Sequence, residues 1–201
     1  FIKPRLDAAH SLTLFSATLT PWHYHCNSLG LPDDTVCLDT PAPFTADQLS
    51  VRLVRSISTR FRDRGASLAP IVELMARQYR ERPGNYLSFV SSFDYLNRLC
   101  ELFTRTHPGI PVWQQSPGMP EDRREDFLNQ FIDGGRGIGF AVLGGLFGEG
   151  IDLPGERLVG AFIATLGLPQ LNPVNEAFRQ RLQRLFGDGY DYAYLYPGIQ
   201  K

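Results

Sequence analysis

The stretch Leu146–Gly155, LFGEGIDLPG, sets two carboxylates, Glu149 and Asp152, among Gly148, Gly150 and Gly155, directly after the apolar run GFAVLGG. Carboxylates in such a loop can face a metal ion or its bound waters, and glycines let the backbone come close to a phosphate. Gly145 and Gly150 have the G-x-x-x-x-G spacing of a phosphate loop, but such a loop continues with Lys and then Ser or Thr, which reach the phosphates and the magnesium. Here Ile151 and Asp152 follow. Two acids repel a triphosphate unless a metal intervenes, so the loop is no self-sufficient cradle. A dinucleotide G-x-G-x-x-G before a helix is absent as well. Two readings stay open at this point: a glycine-rich turn with solvated acids, or part of a site completed from elsewhere.

Other residues offer chemistry too. Trp22–Cys26, WHYHC, places His23 and His25 on one face if the segment is a strand, but no second ligand cluster exists to complete a zinc site. Arg52, Arg55, Arg60, Arg62 and Arg64 fall within 13 residues, a phosphate-facing strip or a solvated face with ion pairs. Arg123 and Arg124 stand among Asp122, Glu125 and Asp126, where pairing within a helix is the expected role. No G-x-S-x-G nucleophile elbow occurs. Trp113 lies on a short apolar stretch and reads as core.

These residues need a frame. Leu12–Phe15 is a short apolar run, and Leu49–Ile57 alternates as a strand does. A helical stripe runs over Ala66–Arg80 and stops at Pro83-Gly84. Then come a strand at Tyr86–Val90, a helix at Phe93–Thr104, a strand at Pro111–Gln115 and a helix at Glu121–Phe131 with acids in its first turn. Strands at Ile138–Leu143 and Arg157–Thr165 and a helix at Asn172–Phe186 complete the order. Strands alternating with amphipathic helices imply an α/β fold: an open, mainly parallel sheet with helices on both faces. Ligands bind beyond the carboxyl ends of such strands, which selects the loops near residues 90, 143 and 165.

Bulk properties narrow the classes. With 201 residues, 43% hydrophobic and 20% charged, the chain can bury a core, and it has no apolar run long enough for a membrane span. Net charge is −1, so no global basic signature marks a nucleic-acid binder, although only Lys3 and Lys201 of the twenty Lys and Arg residues are Lys. Three cysteines without C-x-x-C spacing argue against a disulfide framework or an iron–sulfur set in this chain. A reducing, cytoplasmic setting is the expectation.

Three stretches together resemble the second motor domain of superfamily 2 DNA helicases of the XPD and DinG type. FSATLTP (Phe15–Pro21) is similar to the family's motif III. YLSFVSSFDYLNRL (Tyr86–Leu99) is similar to motif IV, and AVLGGLFGEGIDLPGERLVGAFIATLGLP (Ala141–Pro169) to motif V with its following strand. SISTRFRDR (Ser56–Arg64) is similar to the segment between motifs III and IV.

The resemblance implies a RecA-like domain that clamps ATP and Mg²⁺ against a first motor domain and moves on single-stranded DNA. It places Gly150 and Asp152 at the nucleotide face, and Gly148 and Glu149 near the surface coupled to DNA. Ser16 and Thr18 would link nucleotide state to DNA grip. Ser91 and Ser92, with Arg60 and Arg64, would touch the DNA backbone. It divides the chain into residues 1–20, a motif III strand and interdomain linker, and residues 21–201, the motor domain.

The family's Walker A loop, its Asp-Glu-x-His box and a four-cysteine iron–sulfur insert precede motif III, and motif VI with its arginine finger follows an aromatic stretch like YDYAYLYPGIQK. Both ends are therefore expected to be boundaries within a longer polypeptide, and these residues alone are expected not to hydrolyse ATP. Any iron–sulfur cluster would belong to the preceding part. No membrane partner is expected, and an open strand edge would allow copies to pair. The other class left open is a non-catalytic RecA-like module that binds nucleic acid or protein.

Overall fold

In a computed structural model that describes residues 2–148 and 150–200, the chain forms two compact units. One gathers residues 53–167 and carries the sheet. The other gathers residues 1–52 with 168–200 and is helical.

The sheet unit begins with helix α3 (Arg64–Glu81), after α1 (Lys3–Asp7) and α2 (Trp22–Leu29) of the other unit. It continues with β1 (Asn85–Val90), α4 (Phe93–Thr106), β2 (Val112–Gln114), α5 (Glu121–Asn129), β3 (Gly137–Val142) and β4 (Gly160–Ile163). The strands lie in the order β2-β3-β1-β4 and every pair is parallel. β1 is buried along all six residues, as a strand covered on both faces must be, whereas β4 alternates between half-buried and exposed positions as an edge strand does.

The faces follow from strand direction. The step from β1 to β2 moves one way across the sheet, and the steps to β3 and β4 move back. Right-handed crossovers then put the first connection on one face and the next two on the other. α4 packs with α3 on the first face, through Leu96, Leu99, Cys100 and Phe103 against Tyr86, Val90, Ile138 and Phe140. α5 packs on the second, through Phe127 and the following Phe131 against Leu87, Phe89 and Ala141. Among its described residues the β3–β4 connection carries only a 3₁₀ turn at Gly155–Arg157, yet Ile151, Leu153 and Leu158 pack on that same second face. It does the covering work of a crossover helix with spaced apolar residues alone.

α4 shows how sequence sets an element here. Ser92 caps it, accepting from the Tyr95 backbone N–H at 3.3 Å, and Asp94 stands in the first turn. Its apolar residues recur at helical spacing, and Tyr95, Leu96, Leu99 and Phe103 are fully buried. Each such burial contributes roughly 1.5–3 kcal/mol.

In the helical unit, α2 faces the aromatic run after α6 (Pro173–Phe186), where a π-helical turn at Asp191–Leu195 leads into α7 (Tyr196–Ile199). Asn27 donates to the Tyr192 hydroxyl at 2.6 Å.

Among the described residues, the strand expected at Leu49–Ile57 and the strand implied for residues 1–20 are both absent, and one expected geometry changes. Leu12–Phe15 pairs with no strand among the described residues, and Phe15 is 91% exposed. Leu49–Ile57 also lacks a ladder partner, with Leu49, Val51 and Leu53 all exposed. Alternation proposes a strand, but only a neighbouring edge makes one, and the boundary between the two units falls inside this stretch. WHYHC is helical rather than extended, so His23 and His25 diverge. His23 Nε2 lies 3.1 Å from the Tyr196 hydroxyl, and Gln200 Nε2 donates to His25 Nε2 at 2.9 Å.

Candidate functional site at the carboxyl edge of the sheet

Because the ladder is parallel, β1 and β3 end on the same edge, and their register sets Val90 opposite Val142. The Leu143 N–H still donates to the Val90 carbonyl at 2.9 Å. The Ser91-Ser92 turn and the loop from Leu143 therefore leave the sheet side by side. Two segments that lie more than fifty residues apart in sequence become neighbours.

The exit of β3 is held by Gln115, a buried residue just past β2. Its backbone N–H donates to the Phe140 carbonyl at 2.8 Å, and its Oε1 accepts from the Val142 N–H at 2.9 Å. Gly144 (φ 79°) and Gly150 (φ 72°) then turn the chain through a region that side chains disfavour. Between them Phe147 drops into the core, 1% exposed, with its ring stacked on Phe127 at 4.1 Å between centroids. Ile151 and Leu153 return to the same cluster. The loop is thus pinned on both sides of its tip. Gly150 has open space where a Cβ would sit, and Asp152 is exposed. Gly148 is half-buried, and Glu149 lies outside the described residues.

On the β1 side, Ser92 is the N-cap of α4, whose first-turn N–H groups and positive dipole end suit an anion. Arg64, the first residue of α3, reaches this point. Its Nη1 donates to Ser92 Oγ at 3.5 Å, and its guanidinium lies 5.0 Å from the Phe61 ring centroid and 5.4 Å from that of Tyr95. Tyr95 is itself fixed by Ser67, with 2.6 Å between the hydroxyls. Arg64 Nε and Ser91 Oγ are both buried without a hydrogen-bond partner. Each unsatisfied group costs about 1–3 kcal/mol, so both atoms lie in the fold without the hydrogen bonds they would make in water.

The remaining expected residues fall elsewhere. Arg60 is exposed at the start of the 3₁₀ turn Phe61–Asp63, and Arg62 pairs with Asp63 at 3.7 Å, so the arginine run divides rather than forming one strip. Ser16 and Thr18 belong to the helical unit, where the Thr18 N–H donates to Ser16 Oγ at 3.2 Å in an exposed turn. Arg123 and Arg124 pair with Asp126 and Glu121 along α5, as expected. Trp113 is half-buried on edge strand β2, its ring 4.9 Å from that of Phe131. Among the described residues no three His, Cys, Asp or Glu side chains gather as a metal site, and no helix is long and apolar enough to cross a membrane.

Sequence reasoning missed Gln115, Phe147 and Tyr95 as positioning residues. For Phe147 a signal was available: one aromatic among glycines has no reason to be exposed. Gln115 had none, because its role depends on where β3 ends.

The comparisons with known proteins agree with this architecture. An XPD helicase structure matches with a TM-score of 0.70 at 16% identity, over 98% of this chain and 36% of that one. An XPD structure in its apo form gives 0.66 at 15%, over 92% of this chain and 39% of that one. Xpd4 of S. tokodaii gives 0.51 at 16%, over 72% and 27%. The chain thus spans little more than a third of the length of the XPD structures it matches most fully, and at these identities the likeness carries the fold, a RecA-like α/β domain. Sequence carries the family: residues 75–201, more than half of the chain and including β1, α4 and the Gly150–Asp152 loop, match the helicase C-terminal domain, and the chain belongs to that family.

Proposed function

We propose that this chain is the second motor half of an ATP-dependent DNA helicase, working at its carboxyl edge against a first motor domain in a longer polypeptide. One observation carries the reading: the β1–β3 register brings the Ser91-Ser92-Arg64 corner and the Gly150–Asp152 loop to the same edge. A nucleotide-sensing loop and a phosphate-gripping turn on adjacent parallel strands can be moved by one event.

The residues fit half of a nucleotide site. The loop offers exposed glycine backbone and one exposed carboxylate on a pinned base. No Lys or hydroxyl follows Gly150 to hold the phosphates and Mg²⁺, so those groups come from the partner domain. ATP with Mg²⁺ supplies the phosphoanhydride whose cleavage drives the motor. Asp152 would orient water bound to the metal, and Gly150 would let the backbone approach. Glu149 and Gly148 would pass the change on toward the DNA surface, with Ser16 and Thr18 as a second link. By themselves residues 1–201 would not turn over ATP.

At the other corner, a DNA phosphate oxygen would accept from the Arg64 guanidinium, from the first turn of α4 and, once it is uncovered, from the Ser91 hydroxyl. Arg60, exposed nearby in sequence, would add charge along the strand. The test is the affinity of the longer polypeptide for a fluorescent oligothymidylate across a salt series. Arg64→Ala should weaken binding and lower the slope of log K against log salt by about 0.7, the signature of one lost phosphate contact on a single strand. An unchanged slope would remove Arg64 from the DNA surface.

A further inference from the structure

The sheet has a second concave feature, on the edge opposite the one just described. A cavity of about 750 Å³ opens where the strands begin, between the ends of α3 and α4 and the residues leading into β2 and β3. That volume lies within the roughly 300–1,000 Å³ of ligand clefts. Tyr79, Ile110 and Pro111 give it apolar walls, and Arg80, Arg136 and His107 give it polar groups.

The polar groups are ordered. Arg80 Nη2 lies 3.0 Å from His107 Nδ1, and His107 Nε2 lies 3.2 Å from Glu73 Oε1. A guanidinium can only donate, so Nδ1 carries the lone pair, and Nε2–H donates to the carboxylate. His107 is therefore a neutral strut that holds Arg80 in place while using one of its five N–H groups. Arg136 pairs with no carboxylate among the described residues; burial pushes the Tyr79 phenol's pKa up, and the Arg136 charge draws it only partly back. Part of Arg80's charge answers the α3 carboxyl end. Arg136 has no such task.

We propose that this cleft docks a short acidic peptide segment of a partner protein, with its carboxylates on Arg80 and Arg136 and an aliphatic or aromatic side chain against Tyr79, Ile110 and Pro111. Charge complementarity selects acid, and the apolar wall beside the guanidinium groups selects a peptide over a bare phosphate. The cleft lies at the amino edge of the strands, so a partner held there leaves the carboxyl edge open. This goes beyond the motor reading and does not depend on it.

The probe is a fluorescein-labelled peptide, Glu-Asp-Leu-Phe-Glu-Asp, titrated with the chain and followed by anisotropy. Arg80→Glu and Arg136→Glu should each weaken it about tenfold or more, while Arg123→Glu on α5 should not. A control peptide with lysine for every acid, and one with Gly-Ser for Leu-Phe, should bind at least tenfold more weakly. The charge reversals lie at exposed positions, and unchanged melting curves will show that they fold. No binding at millimolar chain, equal binding of the lysine peptide, or indifference to both arginine variants would overturn the proposal. Displacement of the peptide by an oligothymidylate whose own binding is lost in the same variants would overturn it in favour of a nucleic-acid surface.

Discussion

Phe147 tests whether the Gly-rich loop is a pinned structure or a loose turn. The side chain is 1% exposed and stacks on Phe127, within the cluster that also takes Phe131 and Leu87. Phe→Ala in a core costs about 3–5 kcal/mol. This site lies at the end of a loop that can partly collapse, so the lower figure applies, about 3 kcal/mol. With roughly 2–4 °C of melting temperature per kcal/mol at this size, Phe147→Ala should melt roughly 6–12 °C below the parent. Trp113 reports on the same cluster through Phe131, and Trp22 is the only other tryptophan. A Trp22→Phe background therefore makes fluorescence a local probe of the sheet unit. Phe147→Leu, which keeps an apolar side chain in the cluster, should cost less than Phe147→Ala, and Asp152→Ala, which is exposed, no more than about 0.5 kcal/mol. A Phe147→Ala melt within about 2 °C of the parent, or an Asp152→Ala loss equal to it, would refute the pinned loop.

Ser92→Ala should destabilise the sheet unit by about 1 kcal/mol through loss of the α4 cap, measured by urea unfolding; no change would mean that Tyr95 N–H finds another partner. Glu176 accepts from the Tyr194 hydroxyl at 2.7 Å and from Arg179 Nε at 2.9 Å, and these contacts, Tyr194 first, hold its carboxyl below the ordinary glutamate pKa. The stabilisation is complete above the ordinary glutamate range and is lost as pH falls through the folded value. Tyr194→Phe should raise the Glu176 midpoint in a carboxyl ¹³C titration, and an unmoved midpoint would contradict the assignment. Among the described residues β4 pairs with β1 alone, and its Ile163 is 66% exposed. Sedimentation velocity should show reversible self-association at high concentration that Ile163→Lys removes; a parent that stays monomeric would count against edge pairing.

How far the sequence reached follows from which signals are local. The helices at Arg64–Glu81, Phe93–Thr106 and Pro173–Phe186 lie within a few residues of their stripes because spacing and caps are written in the segment itself. The central strands were legible because continuous burial forces continuous apolar sequence, as in β1. Leu49–Ile57 failed because pairing is a property of a neighbour, which no segment carries. The carboxyl-edge position of Ser91, Ser92 and the Gly150–Asp152 loop followed from the parallel fold class. Arg64's place beside Ser92 did not, since it depends on where α3 begins relative to β1. Neither did the His107 strut, which joins the end of α4 to Glu73 in the middle of α3, 34 residues away.

LFGEGIDLPG is proposed to contribute Asp152 to a nucleotide site shared with another domain. The most direct test is DNA-stimulated ATP turnover by the longer polypeptide, wild type against Asp152→Ala, beside residues 1–201 alone. Turnover is expected in the wild-type protein, with a loss of about a hundredfold in Asp152→Ala on the scale of a lost transition-state contact, and none from residues 1–201. Turnover by residues 1–201 alone, or an unimpaired Asp152→Ala, would contradict it.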